Sequence, residues 1–192
     1  MLILPKIMKN NIETEIQAYP AGKDVFLLLT GMGGSAFGYA DKYVRIAESV
    51  REKFGFSVFV AALPEEAWTE KDRLFEEIAR RTIAHAETAY VMGVSAGGSL
   101  ALWYAAGFPQ IRRVLCVNPV LRINLHRTLG GIDRFCGERM TVAVGERDPS
   151  TVWANVLPAR ENVHIALLPG VDHVFGGRLD EFIALPEKFL FY

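Results

Sequence analysis

The stretch "YVMGVSAGGSLALWYAAG" at residues 90–107 decides the fold. An apolar run ends there in Gly93-Val94-Ser95-Ala96-Gly97, and an apolar segment rich in alanine and leucine follows at once. The pattern GxSxG between a strand and a helix is typical of a sharp turn, called an elbow, that displays a serine above the edge of a sheet. The flanking positions must be small, because the turn leaves little room for side chains. We therefore predict that Gly93 and Gly97 allow Ser95 to act as a nucleophile, with an ordinary glycine-rich turn as the alternative.

Strand-length apolar runs recur along the rest of the chain. They are nearly continuously apolar, as is typical of parallel strands buried on both faces, and lie at 25–30, 57–62, 89–94, 113–118, 140–145 and 163–168. The segment 12–19 instead alternates polar and apolar residues, which predicts an edge strand antiparallel to its neighbour.

Helical patterns separate these runs. Apolar residues recur at helical spacing in 39–54 and 70–85. At the start of the second segment, Thr69 followed by Asp72 resembles a capping box. Two more helices are expected directly after Ser95 and at 178–190. The alternation predicts an α/β fold, with a mostly parallel sheet and helices on both faces, in a single domain spanning 1–192.

The composition excludes several function classes. The 192 residues are 51% hydrophobic, and 21 basic residues against 22 acidic ones give a net charge of −1. The sequence has no block of basic residues that could bind along a phosphate backbone, so we expect no nucleic-acid partner. No run reaches the ~18 apolar residues of a membrane span. A signal peptide needs ~7–15 consecutive apolar residues, and Pro5 and Lys6 interrupt the apolar stretch within the first ten residues. We therefore expect a cytoplasmic protein without a membrane span.

A serine hydroxyl needs a base that removes its proton, and that base is usually a histidine oriented by a carboxylate. His173 follows the last predicted strand by a short loop, where its ring can lean over the end of the sheet. The other histidines lie at a helix end, in a polar segment and at a strand start, and these are His85, His126 and His164. We predict His173 as the base.

Asp148 follows the strand at 140–145 and is the predicted carboxylate partner. Ser95, Asp148 and His173 then each follow a separate parallel strand, in a chain order found in one hydrolase architecture. Asp148 could instead only cap the helix that Pro149 begins. Other acids compete for the role, with Glu146 as the main alternative beside Asp133 and Asp172.

A glycine-rich loop, "LTGMGGSAFG" at 29–38, follows the first parallel strand. Its glycines allow backbone N–H groups to approach a developing oxyanion. We predict that the N–H groups of Met32 and Ala96 form the oxyanion hole. A plain glycine turn is the alternative, and neither GxGxxG nor GK[ST] is present to bind phosphate.

With these motifs the chain resembles the α/β-hydrolase family over nearly its whole length. The resemblance rests on Gly31-Met32-Gly33-Gly34 after the third family strand, the GxSxG motif after the fifth, Asp148 after the seventh and His173 after the eighth. It implies an eight-stranded, mostly parallel sheet and acyl transfer through a covalent acyl-enzyme on Ser95.

Two features depart from the family pattern. Members often carry His-Gly where this chain has Thr30-Gly31, which changes the hydrogen bonding of the oxyanion loop. The segment 119–139, where many members insert a cap, is short and predicts an open site without a large lid.

Several apolar side chains near the predicted strand ends are candidates for a substrate pocket, although each also suits the core. They are Met32, Phe37, Val120, Leu121, Trp153 and Phe175. The basic residues of 121–127 suggest either a site for an anionic group or a solvated turn, and these are Arg122, His126 and Arg127.

The leading hypothesis is a serine hydrolase that cleaves a carboxylic ester or thioester of a small-molecule substrate, with no metal and no organic cofactor. Cys116 and Cys136 lack metal-ligand or disulfide-framework spacing, and neither lies at an elbow to serve as the nucleophile. The predicted serine, base and acid would serve an acyltransferase or an amidase equally well. A catalytically silent binding module of the same fold is the alternative from another class.

Overall fold

The computed structural model describes residues 1–4, 7–9, 12–66, 71–158 and 160–192. The strands in these ranges are β1 (Leu2–Ile3), β2 (Ile7–Lys9), β3 (Ile12–Thr14), β4 (Ile16–Tyr19), β5 (Val25–Met32), β6 (Ser57–Leu63), β7 (Ala89–Val94), β8 (Ile111–Val117), β9 (Arg139–Gly145) and β10 (Val163–Leu168). The helices are α1 (Lys42–Phe54), α2 (Lys71–Thr82), α3 (Ala96–Tyr104), α4 (Leu125–Arg134), α5 (Thr151–Ala154) and α6 (Leu179–Pro186), which continues as a π-helical turn at Glu187–Phe191.

Eight strands form one sheet in the order β1-β4-β6-β5-β7-β8-β9-β10. The pairs β1–β4 and β4–β6 are antiparallel, and all pairs from β6 to β10 are parallel. The predicted mostly parallel sheet is confirmed, and so is antiparallel pairing within 12–19. The prediction that 12–19 is one half-exposed edge strand is wrong. β4 lies between β1 and β6 and is buried at all four positions, because β1 adds a further strand outside it, whereas β3 pairs with β2 in a separate two-stranded sheet. Because the parallel strands share one direction, the carboxyl ends of β5, β7, β8, β9 and β10 lie side by side at one edge of the sheet.

Helices cover both faces, as predicted, and the alternation of β5 shows how. Leu27 and Leu29 belong to a core cluster shared with α2, α3 and α4, whereas Phe26 and Leu28 belong to a second cluster shared with α1 and α6. All four side chains are fully buried. Each such burial contributes ~1.5–3 kcal/mol, which is why the strand is apolar at every position.

β10 departs from the expectation of burial on both faces. It is the edge strand of the sheet, and His164, Ile165 and Leu167 are exposed along it. An apolar run of six residues does not distinguish a central strand from an edge strand, because the distinction depends on what covers it.

The segment 119–139 contains a helix, α4, that the sequence reading did not identify. α4 packs against α3, where the indole N–H of Trp103 donates to Thr128 Oγ1 at 3.0 Å. A Cβ on Gly131 would lie 1.8 Å from the carbonyl oxygen of Leu102, so this contact requires glycine. The glycine pair that lowers helix propensity in this segment therefore permits the close packing of the two helices.

The capping box at Thr69 and Asp72 involves a residue outside the described ranges. Among the helices of the described residues, none combines the length and the apolar character needed to cross a bilayer.

Candidate active site

Ser95 stands at the turn between β7 and α3 in a strained backbone conformation. Its φ is 52° and its ψ is −114°, outside the regions that residues other than glycine normally adopt. The backbone N–H of Ser95 donates to the carbonyl oxygen of Val117 at the end of β8, at 2.8 Å. The neighbouring strand thus holds the turn while the hydroxyl remains above the edge of the sheet.

Close backbone contacts explain the glycines on either side of Ser95. A Cβ on Gly93 would lie 2.2 Å from the carbonyl oxygen of Gly97, and one on Gly97 would lie 2.5 Å from the carbonyl oxygen of Thr30. The first turn of α3 therefore packs directly on β7 and on the end of β5. A methyl group at either position would push the helix away from the sheet.

Ser95, His173 and Asp148 form one hydrogen-bonded chain. Ser95 Oγ lies 3.0 Å from His173 Nε2, and His173 Nδ1 lies 2.5 Å from Asp148 Oδ2. An ionised carboxylate only accepts hydrogen bonds, so Nδ1 carries the proton and Nε2 is free to accept one from the serine. The structure thus brings together three side chains that lie 25 to 78 residues apart in sequence.

Asp148 is held in place by its own turn. Its side chain is 1% exposed, and its Oδ1 accepts the backbone N–H of Ser150 at 2.6 Å. Burial alone raises the pKa of Asp148, but the hydrogen bonds from His173 and from the Ser150 N–H outweigh it and hold this pKa below its usual value. The carboxylate is therefore ionised at neutral pH and oriented toward the imidazole.

The pKa of His173 is shifted in the opposite direction, upward. The hydrogen bond to Asp148 raises the pKa of His173 above 6.5, against the effect of partial burial, and the negative charges of Asp148 and Asp172 add to the rise. The side chain is 40% exposed, so water reaches the ring. The raised pKa makes the imidazole a stronger base for the serine proton.

Asn118 is a site residue that sequence reading missed. It directly follows β8, is fully buried and has a φ of 45°. Its Nδ2 donates to the carbonyl oxygens of Asp172 and His173 at 3.0 and 3.1 Å, and its Oδ1 accepts the N–H of Gly145 at 2.7 Å. One amide therefore joins the loop that carries His173 to the strand that precedes Asp148. The available signal was a polar residue closing the apolar run "RVLCVN" directly before a proline.

The other acids considered as the carboxylate partner of His173 are engaged elsewhere. Glu146 Oε2 accepts the N–H of Gly170 at 2.7 Å, and Asp133 forms an ion pair with Arg160. Asp172 Oδ1 accepts the N–H groups of Gly176 and Val174 at 2.9 and 3.1 Å, and these bonds lower its pKa. Asp172 therefore shapes the loop that carries the histidine.

Thr30 occupies the place where the family often has histidine, and its hydroxyl fastens the glycine-rich loop. Thr30 Oγ1 is buried, donates to the carbonyl oxygen of Gly31 at 2.9 Å and accepts the N–H of Leu63 at 3.0 Å. The loop is thereby tied to the end of β6. The Tyr43 hydroxyl contacts the same loop through a hydrogen bond from the backbone of Gly31. Burial raises the pKa of Tyr43 to about 12, and this hydrogen bond acts in the opposite direction.

The two backbone N–H groups predicted for the oxyanion hole belong to Met32 and Ala96. Gly33 donates its N–H to the carbonyl oxygen of Leu63 at 2.7 Å, toward β6. Because successive N–H groups of a strand point to opposite edges, we expect the Met32 N–H to point away from β6, toward β7. Ala96 is the first residue of α3, where N–H groups have no acceptor within the helix.

The predicted pocket residues occupy different environments. Phe175 is buried and Leu121 is fully buried in the core, whereas Phe37 and Trp153 are 42% and 37% exposed. Val120 lies beside the elbow, because its N–H donates to Ser99 Oγ at 3.0 Å, one turn after Ser95.

The remaining candidates are paired elsewhere, exposed or buried inside a strand. Arg127 pairs with Asp72 at 2.7 Å, and His85, His126, His164 and Arg122 are exposed. Cys116 is buried, which raises the pKa of its thiol, and Cys136 is exposed.

No protein-family model matches the sequence, and no curated protein is significantly similar to it. Solved structures do share its fold. Est1E from Butyrivibrio proteoclasticus aligns with a TM-score of 0.76 at 12% identity, over 98% of this chain and 97% of that chain. A dienelactone hydrolase from Anabaena variabilis gives 0.66 at 14% identity, over 99% and 97% of the two chains. The thioesterase domain from the curacin biosynthetic pathway gives 0.66 at 8% identity, over 96% and 99%.

These similarities cover nearly the whole chain. The chain therefore has the α/β-hydrolase fold, as the resemblance of its motifs implied.

Proposed function

We propose that the protein is a serine hydrolase that cleaves a carboxylic ester or thioester through an acyl-enzyme on Ser95. One observation carries the proposal, namely the chain of hydrogen bonds from Ser95 Oγ to His173 at 3.0 Å and from His173 to Asp148 at 2.5 Å. A serine nucleophile needs this arrangement of base and carboxylate. A binding protein has no need of it.

In the first half of the reaction, Ser95 Oγ attacks the acyl carbon while its proton moves to His173 Nε2. A bond forms between Oγ and carbon, and the resulting tetrahedral oxyanion collapses with rupture of the bond to the leaving group. His173 returns its proton to the leaving oxygen or sulfur. The ionised, buried Asp148 stabilises the imidazolium that exists between these two transfers.

The oxyanion is assigned to the N–H groups of Met32 and Ala96. The direction of the Gly33 hydrogen bond toward Leu63 supports the role of Met32, and the position at the start of α3 supports that of Ala96. Each such donor typically contributes ~10²–10³ in rate. In this assignment the Thr30 hydroxyl performs the structural work of the family histidine, because it fixes the loop that carries the first donor.

Hydrolysis of the acyl-enzyme needs water beside His173. The partial exposure of its side chain supports such access. Water then loses a proton to Nε2 and attacks the acyl carbon. The bond between that carbon and Ser95 Oγ breaks, Oγ regains the proton from Nε2, and the carboxylic acid is released. Two proteins that share the fold are named as a dienelactone hydrolase and a thioesterase domain, and both names are consistent with an oxygen or sulfur leaving group.

The decisive experiment is labelling with a fluorophosphonate probe, followed by mapping of the adduct by mass spectrometry. The wild-type protein should form one adduct on Ser95. Ser95→Ala and His173→Ala should both lose it, because the serine is reactive only when the base removes its proton. His126→Ala is the matched control, since His126 is exposed and apart from this chain of hydrogen bonds.

Hydrolysis of phenyl acetate should likewise be lost in Ser95→Ala and His173→Ala and retained in His126→Ala. A folded wild-type protein that neither reacts with the probe nor cleaves the ester would overturn the proposal and favour a binding module of the same fold. Labelling at another serine, or labelling unaffected by His173→Ala, would contradict the assigned roles.

A further inference from the structure

A groove of about 900 Å³ opens beside the loop that carries His173. One wall is the continuous stretch 174–182, which includes the start of α6, and the other wall carries Tyr39 and Lys42. The groove begins at Val174, the residue directly after His173. Its volume lies within the ~300–1,000 Å³ typical of small-molecule sites.

The walls of the groove present apolar surface to solvent. Val174 is 72% exposed and Tyr39 is 80% exposed, although both have large apolar surfaces. Beneath them, the rings of Phe175 and Phe182 meet edge to face with their centroids 5.0 Å apart, and both are buried. A flat apolar or aromatic group would therefore find a firm surface to lie on.

Lys42 supplies the distinctive charge of this groove. Its Nζ lies 4.4 Å from the ring centroid of Phe182 and 5.0 Å from that of Tyr43. None of the ion pairs formed by the described residues includes Lys42. The two acids of the lining are already paired, Asp180 with Arg45 at 3.0 Å and Glu181 with Arg178 at 3.0 Å.

The position of Lys42 in α1 makes this charge unfavourable for the isolated protein. Lys42 is the first residue of the helix, and no acid lies in the first turn. Cations are disfavoured at the amino end of a helix because the helix dipole is positive there. The adjacent Asp41 makes no capping hydrogen bond, and burial lowers the pKa of Lys42. A bound anion would relieve both effects.

The chemistry of the proposed reaction decides which part of a substrate enters the groove. His173 Nε2 must give its proton to the leaving atom, so the leaving group lies on the histidine side of the acyl carbon. The groove, which neither Ser95 nor His173 lines, begins at the residue that follows His173, Val174. A leaving group placed there extends toward Lys42, whose single unpaired charge matches a carboxylate. A dianion would in addition face Asp180 and Glu181 at the rim.

We propose that this groove binds the leaving group and that Lys42 binds a carboxylate on it, so that the preferred substrates are esters of hydroxy acids. The inference rests on the proposed hydrolase function and adds the class of its leaving group. The bond cleaved is the one between the acyl carbon and the hydroxyl oxygen of the hydroxy acid. That oxygen receives the proton from His173, and water supplies the oxygen of the released acid.

The test compares two acetate esters that differ in charge, 4-acetoxybenzoate and its methyl ester. The wild-type ratio of kcat/KM, charged over neutral, serves as the reference, which removes the difference in intrinsic reactivity. Lys42→Met keeps an apolar chain over Phe182 but removes the charge, and should lower this ratio about tenfold, the effect of one charge-assisted contact. Lys42→Arg should preserve most of the ratio.

Lys53→Met is the matched control. Lys53 lies in the last turn of the same helix, pairs with Glu187 at 2.5 Å and is outside the groove. It should leave the ratio and the activity unchanged. An unchanged ratio in Lys42→Met, with both esters cleaved by the wild type, would overturn the leaving-group site and leave the proposed hydrolase intact. Failure of the wild type to cleave either ester, with no probe labelling, would instead overturn the proposed function.

A second measurement needs no variant and covers the case in which Lys42→Met does not fold. In the wild-type protein, 4-hydroxybenzoate should inhibit the cleavage of phenyl acetate competitively, and about tenfold more strongly than methyl 4-hydroxybenzoate. Equal inhibition by the two compounds would contradict the carboxylate site.

Discussion

Ser95 and Asn118 directly follow the neighbouring parallel strands β7 and β8, and both hold a positive φ without being glycine, at 52° and 45°. Their side chains differ in every other respect. The Ser95 hydroxyl stands above the edge of the sheet and bonds to the ring of a partly exposed histidine. The Asn118 amide is fully buried and makes three hydrogen bonds to backbone groups of two other segments.

The comparison shows two uses of the same backbone conformation at one edge of a sheet. Positions of this kind cost on the order of 1–3 kcal/mol. Asn118 offsets the cost locally through its own hydrogen bonds, which also join the segments that carry His173 and Asp148. Ser95 has no comparable local gain, and the packing of β7 and α3 maintains its strain. Asn118 builds the site and Ser95 performs the chemistry that we propose.

The largest expected effect sharpens this division of roles. Ser95→Ala should lower kcat for a simple aryl ester by about 10⁶-fold, because the nucleophile is removed, while circular dichroism and thermal unfolding remain close to wild type. Ester hydrolysis with active-site titration measures the effect. Residual activity within tenfold of the wild type would show that another residue supplies the nucleophile.

Asp148→Asn should reduce kcat by about 10⁴-fold, since the amide cannot hold the imidazole in the productive tautomer. The pH profile gives an independent reading. His173 must be neutral to accept the serine proton, and Asp148 raises its pKa, so kcat/KM of the wild type should rise with pH through a midpoint above 6.5. In the variant this midpoint should move to lower pH.

Glu146→Gln is the control for that prediction, because Glu146 bonds to Gly170 and does not contact His173. Its pH midpoint should stay at the wild-type value. A shift in Glu146→Gln, with none in Asp148→Asn, would reverse the assignment of the acid.

Asn118→Gly should have an intermediate effect and test whether Asn118 positions the histidine loop. Glycine accepts the backbone conformation, so the loss concerns the three hydrogen bonds alone. We expect kcat to fall about 10- to 100-fold through misplacement of His173, with KM nearly unchanged, and the free energy of unfolding to fall by about 2 kcal/mol.

Asn124→Gly provides the matched comparison. Asn124 also has a positive φ, at 55°, and makes no side-chain capping bond at the start of α4. This variant should retain wild-type kcat. Equal losses of kcat in the two glycine variants would mean that loop flexibility, rather than the Asn118 amide, accounts for the effect.

The smallest effect compares two Ser95 variants in stability alone. Ser95→Gly should unfold with a free energy about 1 kcal/mol above that of Ser95→Ala, because glycine relieves the strain at φ 52°. Chemical denaturation measures it. Substitution by glycine then acts in opposite directions at Ser95 and at Asn118. A destabilised Ser95→Gly would show that the elbow stores no strain.

The part of the candidate site that the sequence revealed consists of residues tied to local motifs. Ser95 is marked by its glycines, and Asp148 and His173 follow strand-length apolar runs. Asn118 was missed because its role depends on two segments, around Gly145 and His173, that are distant along the chain. Lys42 was missed for the same reason, since its significance comes from the ring of Phe182 and from the pairing of the acids around it.

The sequence by itself determined the alternation of strands and helices, the mostly parallel sheet and the elbow at Ser95, because periodicity and close glycine packing are local requirements. Only the tertiary structure decided that β10 is an exposed edge, that 125–134 is a helix packed on α3, and which carboxylate meets His173. These outcomes depend on which elements cover one another. Coverage is a property of the folded chain, and no short stretch of residues encodes it alone.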